Sequence, residues 1–201
     1  MTRHQDDDEG ALVAALRAGE AAAYEKLVRG YGPRLLATAR RILRDAALAE
    51  DCLQETFLKA FDKIDGFEGR SALGTWLHSI LVNQSLMKLR KNKRERHEQI
   101  DDLMPQFDSN ACRIEAPWSY LATPDELLER DQTRALVQSK IDQLPESYRI
   151  VLQLRDIEEF DTETVAAMLD ITPGAAKVRL HRARAALKVL LEPLLRGEGP
   201  L

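Results

Sequence analysis

The sequence predicts an all-α protein made of two small helical domains joined by a flexible acidic linker. Glycine and proline are few, at ten and eight in 201 residues, and runs of β-branched residues are scarce. Apolar residues recur at helical spacing in two stretches of the chain, whereas the segment between those stretches has no sustained period. The chain length leaves room for one medium domain or two small ones, and the interrupted pattern favours two.

The first helical domain is predicted over residues 11–97, after a polar and acidic stretch at residues 1–10 that we expect to be disordered. Asp45 is placed to cap a long helix that should bury Phe57. The sequence IDGFEGR at residues 64–70 predicts a loop, because two glycines interrupt the helical pattern. The helices of this domain are predicted at residues 11–17, 21–30, 33–43, 46–63 and 71–96.

A second helical domain follows the linker. A capping box that begins at Thr123 predicts the start of one helix, and a further helix is predicted from Pro145 to about Ile157. The predicted boundaries are 98–123 for the linker, 124–195 for the second domain and 196–201 for a terminal tail.

Residues 161–188, with the sequence DTETVAAMLDITPGAAKVRLHRARAALK, predict a short helix, a tight turn and a longer helix. Asp161 is a good cap for the short helix, and Asp170 tolerates the left-handed backbone that the turn requires. Thr172 can cap the longer helix, and Pro173 suits its first position. Such a basic helix suits the major groove of DNA, although an ordinary helix with a solvated basic face is the alternative. Its basic side chains are Lys177, Arg179, His181, Arg182, Arg184 and Lys188.

Charge is segregated along the chain. The formal net charge of −4 argues at first against a nucleic-acid-binding protein. However, residues 88–96 carry six basic residues and one acid, whereas residues 98–131 carry nine acids and two basic residues. The net charge of the whole chain therefore does not decide whether the protein binds nucleic acid. Part of the basic run at residues 88–96 also has a structural explanation, because cations complement the dipole at the end of a helix.

Several classes of protein are disfavoured by what the sequence lacks. The sequence shows no catalytic motif in which a nucleophile is accompanied by a nearby base. It also has no glycine-rich phosphate loop, so an enzyme is not expected. Cys52 and Cys112 lack metal-ligand spacing, so neither a metal nor a cofactor is expected. Cys112 is either a redox trigger or an incidental thiol. We find no signal peptide or membrane-spanning run and expect a cytoplasmic protein.

The order and spacing of these segments resemble the bacterial sigma-70 family, and most closely its small extracytoplasmic-function (ECF) group. The resemblance covers about residues 20–96 and 124–192. It implies a factor that binds core RNA polymerase through the β′ and β subunits, directs it to promoter DNA and helps to melt the −10 region. It also implies control by an anti-sigma factor and a free protein that is monomeric. The matching segments are AEDCLQETFLKAF at 49–61, FEGRSALGTWLHSILVNQSLMKLRK at 67–91, LPESYRIVLQLRDIEEF at 144–160 and the helix-turn-helix.

The resemblance implies three sets of contact residues. Trp76 has a second interpretation as a core anchor, and Val178 stands where many relatives have serine, so no −35 consensus is transferred to this chain. The set implied for core polymerase is Asp51, Gln54, Glu55 and Phe57. The set implied for the −10 element is Phe67, Ser71, Ala72, Trp76, Asn83, Lys88, Arg90 and Lys91. The set implied for the −35 element is Lys177, Val178, Arg179, His181, Arg182 and Arg184.

Two other functions stay open at this stage. One is a stand-alone helix-turn-helix regulator whose N-terminal helices sense a ligand or dimerise, and the other is a helical adaptor for acidic proteins. The segment at residues 67–91 favours an initiation factor over a repressor, since a repressor needs no loop that captures unstacked bases. We also hypothesise that the acidic linker, through Asp101, Asp102 and Asp108, occupies a nucleic-acid channel of the polymerase.

Overall fold

The computed structural model describes residues 3–92, 100, 103–104 and 130–195, and the chain divides into two compact units, Met1–Glu95 and Arg96–Leu201. These described ranges contain helices and turns and no strand, which confirms the predicted all-α class. Within them, no helix combines the length and the apolar composition needed to cross a membrane. The predictions that concern the three linker aspartates, Cys112, the Thr123 cap and the terminal tail lie outside the described residues.

Four α-helices pack together in the described part of the first unit. Helix α3 (Ala46–Lys63) begins at the predicted cap, where the Asp45 carboxylate accepts a hydrogen bond from the Leu48 N–H at 3.0 Å. Such a cap stabilises a helix by about 1 kcal/mol. The core of the unit is formed by fully buried leucines of the first, second and fourth helices, among them Leu16, Leu35 and Leu77, and by mostly smaller side chains of the third helix. The helices are α1 (Arg3–Arg17), α2 (Ala21–Leu43), α3 (Ala46–Lys63) and α4 (Leu73–Asn92), with a single 3₁₀ turn at Ile64–Gly66 after α3.

Helix α1 corrects the prediction for the first ten residues. The sequence predicts a disordered stretch at residues 1–10, whereas α1 begins at Arg3. Two acidic side chains of this stretch have partners on other helices: Asp8 pairs with Lys26 at 2.7 Å, and Glu9 accepts a hydrogen bond from the Leu73 N–H at 2.8 Å. A local pattern cannot reveal these partners, because they lie far along the chain.

Helix α2 corrects a second prediction. The glycine at position 30 and Pro33 predict a break, but one continuous helix runs through both positions. An internal proline costs a helix about 3 kcal/mol. Leu27 and Leu35, on either side of the proline, are fully buried, and burying a leucine contributes about 1.5–3 kcal/mol. Burial on both sides therefore outweighs the backbone cost.

The described part of the second unit also contains four α-helices. Its first two correspond to the predicted helices on either side of Pro145, but the end of the second differs from the prediction. Residues Gln153–Ile157 form a wider π-helical turn instead of continuing as α-helix, and the Arg155 guanidinium donates to the Phe160 carbonyl oxygen just beyond it. The helices are α5 (Arg130–Ile141), α6 (Glu146–Leu152), α7 (Thr162–Leu169) and α8 (Pro173–Leu195).

Candidate nucleic-acid and polymerase interfaces

Helix α7 begins where the sequence predicts, at a side-chain cap. The Asp161 carboxylate accepts a hydrogen bond from the Thr164 N–H at 2.6 Å. That hydrogen bond is the main reason why the pKa of Asp161 lies below its usual value. Val165, Ala166 and Met168 are buried, so the short helix is held against the rest of its unit by an apolar stripe.

The turn between α7 and α8 also follows the local sequence. Asp170 has left-handed backbone angles, with φ at 53° and ψ at 49°, and its N–H donates to carbonyl oxygens in the last turn of α7. The Thr172 hydroxyl oxygen then accepts a hydrogen bond from the Ala175 N–H at 3.1 Å. Both predictions are confirmed, and together they fix the direction in which α8 leaves the turn.

Helix α8 presents an exposed face made of four of the predicted residues. Ala176, Leu180, Ala183 and Ala186 are buried and hold one side of α8 against the unit. Val178 is 57% exposed, although it is a large apolar side chain. The face therefore combines hydrogen-bond donors with one apolar contact, which are the two kinds of group that read base edges in the major groove. The exposed residues of this face are Lys177, Val178, His181 and Arg182.

Arg179 and Arg184 stand apart from that face. Arg179 is half-buried and lies one turn from the buried residues Ala176 and Ala183. Arg184 donates from Nε and Nη2 to the two carboxylate oxygens of Asp156, at 2.9 and 2.6 Å, and this contact raises the pKa of Arg184. We therefore assign Arg184 to bracing α8 against the π-helical turn rather than to a DNA phosphate.

A second exposed stripe runs along α4 in the first unit. Ala72, just before the helix, and Asn83 and Arg90 within it are exposed, and their spacing places them on the same side with Trp76. Ser71 is exposed at the end of the preceding loop, and Lys91 is exposed near the end of the helix.

The two aromatic residues predicted for the −10 set are more buried than residues of an exposed binding surface. Phe67 is only 7% exposed, and its ring centroid lies 5.2 Å from that of Trp76. Trp76 is half-buried and packs against the core of the unit. Phe67 therefore packs against the buried side of Trp76. Trp76 anchors α4 to the core, and part of its ring stays accessible.

Lys88, the remaining member of the −10 set, faces a different helix. Its ammonium donates to a carboxylate oxygen of Glu55 at 2.9 Å, and this hydrogen bond is the main cause of its raised pKa. Glu55 was predicted to contact polymerase and Lys88 to contact DNA. The structure instead brings these two charges together between α3 and α4.

The exposed face of α3 has one residue that sequence reasoning missed. Asp51 and Gln54 are exposed as predicted, but Phe57 is only 6% exposed and stacks on Phe61 in the core. The neighbouring Leu58 is 63% exposed. Leu58 follows Asp51 by seven residues and Gln54 by four, so helical spacing alone was sufficient to identify it.

These features define a class of protein before any comparison is made. One unit carries a capped helix-turn-helix with a mixed basic and apolar face, and the other carries a polar-apolar face on α3 beside a loop and a basic helix. A helix-turn-helix with such a face is typical of a helical DNA-binding transcription factor.

The chain belongs to the sigma-70 family, in its extracytoplasmic-function group, and is thus a transcription initiation factor. It matches the family models described as Sigma-70 region 2 over residues 27–95 and Sigma-70, region 4 over residues 134–187. The RNA polymerase sigma-H factor of Pseudomonas aeruginosa is 32% identical over 196 residues, which cover 98% of each chain.

Two further proteins are similar to this chain. The ECF RNA polymerase sigma-E factor of Salmonella typhimurium is 29% identical over 187 residues, which cover 92% of this chain and 95% of the relative. Among solved structures, the sigma factor RpoE from Bartonella quintana, in complex with the anti-sigma factor NepR, is 29% identical with a TM-score of 0.58. That match covers 84% of this chain and 96% of the solved one.

Proposed function

We propose that this ECF sigma factor binds core RNA polymerase through the exposed face of α3 and contacts its promoter at two separate elements, one with each unit. The observation that carries the proposal is that two exposed surfaces with cationic side chains and different chemistry lie on two separate units. The stand-alone regulator that the sequence left open accounts for the second unit only, whereas the chain matches the family models for both regions.

The −35 element is the proposed target of α8. Lys177 and Arg182 supply cationic donors that suit the O6 and N7 atoms of guanine, and Val178 suits the methyl group of thymine. His181 lies between them on the same exposed face. Because Arg184 is engaged by Asp156, it contributes to this site by holding α8 in place.

The −10 element is the proposed target of the loop before α4 and of the exposed stripe on that helix. Unstacked bases are recognised by aromatic rings and by side chains that pair with base edges. Trp76 offers a partly exposed ring, and the Asn83 amide offers both donors and an acceptor. Ser71 and Ala72 lie where the loop meets the helix, and Arg90 and Lys91 supply charge for the phosphates.

Core polymerase is the proposed partner of α3. Asp51 and Gln54 give an acidic and polar rim around the exposed Leu58, an arrangement typical of a protein-protein contact with a basic partner. Glu55 takes part in this face, but its carboxylate is shared with Lys88. Phe57 supports the face from the core and makes no direct contact in this proposal.

Control by an anti-sigma factor is the last part of the proposal, together with action in the cytoplasm. It rests on family resemblance and on the solved complex of the related RpoE with NepR. The proposed partners of the active factor are promoter DNA and the β′ and β subunits of core RNA polymerase, and the free factor is proposed to be a monomer.

Transcription assays with core polymerase alone, with the chain alone and with both proteins together test the main proposal. The purified full-length chain would be mixed with bacterial core RNA polymerase and a template library randomised upstream of a fixed transcribed segment. We expect transcripts from a selected subset of templates only when both proteins are present. Tight binding of the chain alone to duplex DNA, without polymerase-dependent transcripts, would instead indicate a regulator, and binding to neither would indicate an adaptor.

A further inference from the structure

Helix α1 contacts the segment that connects α3 and α4 at its start, its middle and its end. We call residues 64–72 the α3–α4 loop. The Arg17 guanidinium donates from Nε to the Ile64 carbonyl oxygen at 3.3 Å and from Nη2 to the Phe67 carbonyl oxygen. Glu9 accepts a hydrogen bond from the Leu73 N–H at 2.8 Å, just after the loop.

Glu9 acts as a cap for α4, although it belongs to another helix. The first N–H groups of a helix lack partners within the helix, and a negative charge near them is favoured by the helix dipole. Glu9 supplies both an acceptor and a negative charge at Leu73, from a position 64 residues earlier in the chain. The point at which α4 begins sets where Trp76 and Asn83 lie.

Arg17 fixes the shape of the loop itself. Its two donors join the carbonyl of the 3₁₀ turn at Ile64 to the carbonyl of Phe67, three residues further on. Phe67 in turn lies under Trp76. Arg17 therefore helps to hold Phe67, and with it the Trp76 ring, relative to the end of α3, in addition to the hydrogen bond of 3.1 Å from the Phe67 N–H to the Ile64 carbonyl oxygen.

Packing holds part of the loop against α1, because Ile64 and Phe67 lie in the same apolar core as the buried residues of α1. A groove of about 470 Å³ separates α1 from the loop, and Val13, Phe67 and Gly69 are among the residues that line it. Helix α1 is itself anchored, because Leu12, Val13 and Leu16 are buried in the core of the unit. A fixed helix thus holds the loop and the start of α4 through this apolar contact and through the polar contacts of Glu9 and Arg17.

We propose that Glu9 and Arg17 are positioning residues for −10 recognition, so that α1 sets the selectivity of the α3–α4 loop for its base. The inference rests on the proposed function, in which this loop and the α4 stripe read the −10 element. Neither residue needs to contact DNA, since each acts through the backbone of the loop or of α4.

The test compares two templates that differ only at the −10 element. Initial run-off rates with core polymerase would be measured on a selected promoter and on its −10-substituted form, and the ratio gives the discrimination. We expect Glu9→Ala and Arg17→Ala to lower this ratio about fivefold, the effect of losing a cap-like hydrogen bond. Glu9→Gln should keep most of the ratio, because its amide oxygen still accepts from the Leu73 N–H.

Asp8→Ala provides the matched control on the same helix. Asp8 is exposed and pairs with Lys26 on α2, away from the loop, so its variant should keep the wild-type ratio. An equal loss of rate on both templates in Glu9→Ala and Arg17→Ala, with the ratio unchanged, would overturn the inference and indicate a general structural role. A wild-type chain that shows no −10 discrimination would overturn the proposed function itself, before any variant is compared.

Discussion

Lys88 Nζ lies 2.9 Å from Glu55 Oε1, so a cation of α4 is paired with an anion of α3. The Lys88 side chain is only 19% exposed, whereas that of Glu55 is 48% exposed. One turn earlier, Cys52 Sγ lies 3.4 Å from Ser85 Oγ between the same two helices. The contact between α3 and α4 therefore joins the two proposed binding surfaces of the first unit.

This pairing separates Lys88 from the exposed cations Arg90 and Lys91, which we propose contact DNA. We expect Arg90→Ala to reduce the salt dependence of promoter binding by the polymerase complex by about 0.7 to 1 in the logarithmic slope, the value for one lost phosphate contact. Lys88→Ala should leave the slope close to that of the wild type, because the charge is held by Glu55. The measurement is the promoter dissociation constant across a series of salt concentrations, and equal slope changes in both variants would contradict the assignment.

Substitutions of two neighbouring residues on α3 should affect different properties, one the binding of core polymerase and the other the stability of the unit. Leu58→Ala is expected to weaken binding to core polymerase while changing the free energy of unfolding by less than about 0.5 kcal/mol, because Leu58 is 63% exposed. Phe57→Ala should destabilise the unit by about 3–5 kcal/mol, since it removes a buried aromatic ring. Chemical denaturation and a polymerase-binding titration check both variants. A stable Phe57→Ala variant with a specific binding defect would restore Phe57 to the contact set.

Two glycines of the α3–α4 loop offer a backbone test of the same unit. Gly69 has a φ of +70°, and an added Cβ atom would meet no atom within 4 Å. Gly69→Ala should therefore cost about 1 kcal/mol through backbone strain alone. Gly66 also has open space around it but no positive φ, so Gly66→Ala is the control and should cost less. Denaturation measurements check the difference, and equal costs at both positions would contradict the loop conformation.

The Asp161 cap predicts a pH dependence of known sign. Its pKa is lowered in the folded chain, chiefly by the hydrogen bond from Thr164, below the usual value of 3.8. The stabilisation is therefore fully present above pH 3.8 and is lost as the pH falls through the lowered pKa. Asp161→Asn keeps an acceptor but cannot titrate, so its stability should fall less steeply than that of the wild type below pH 3.8. The measurement is the free energy of unfolding of both proteins across this pH range. An equal fall in both proteins below pH 3.8 would rule out this contribution.

The helix-turn-helix could be predicted in detail because its signals are local. Asp161, Asp170 and Thr172 act on backbone groups within a few residues of themselves, so a single pattern identifies the caps and the turn. The exposed face of α8 then follows from helical spacing. These are the parts of the protein for which sequence and structure agree most closely.

The parts that sequence reasoning missed depend on partners from elsewhere in the chain. The pairs Glu9 with Leu73, Glu55 with Lys88 and Asp156 with Arg184 all join residues at least 28 positions apart. A charged residue in a sequence carries no sign of whether such a partner exists. Phe57 and Leu58 illustrate a different error. The helical pattern correctly predicts that Phe57 is buried, whereas the family resemblance placed Phe57 in the contact set and left out the exposed Leu58 beside it.

Promoter selection with variants of each unit tests the central claim most directly. Core polymerase with the wild-type chain should select templates that share two sequence blocks at a fixed spacing. With Val178→Ser, only the base preference in the upstream block should change, and with Asn83→Ala, only that in the downstream block should change. Templates that share a single block, or a variant that alters both blocks together, would contradict the account that each unit reads its own promoter element.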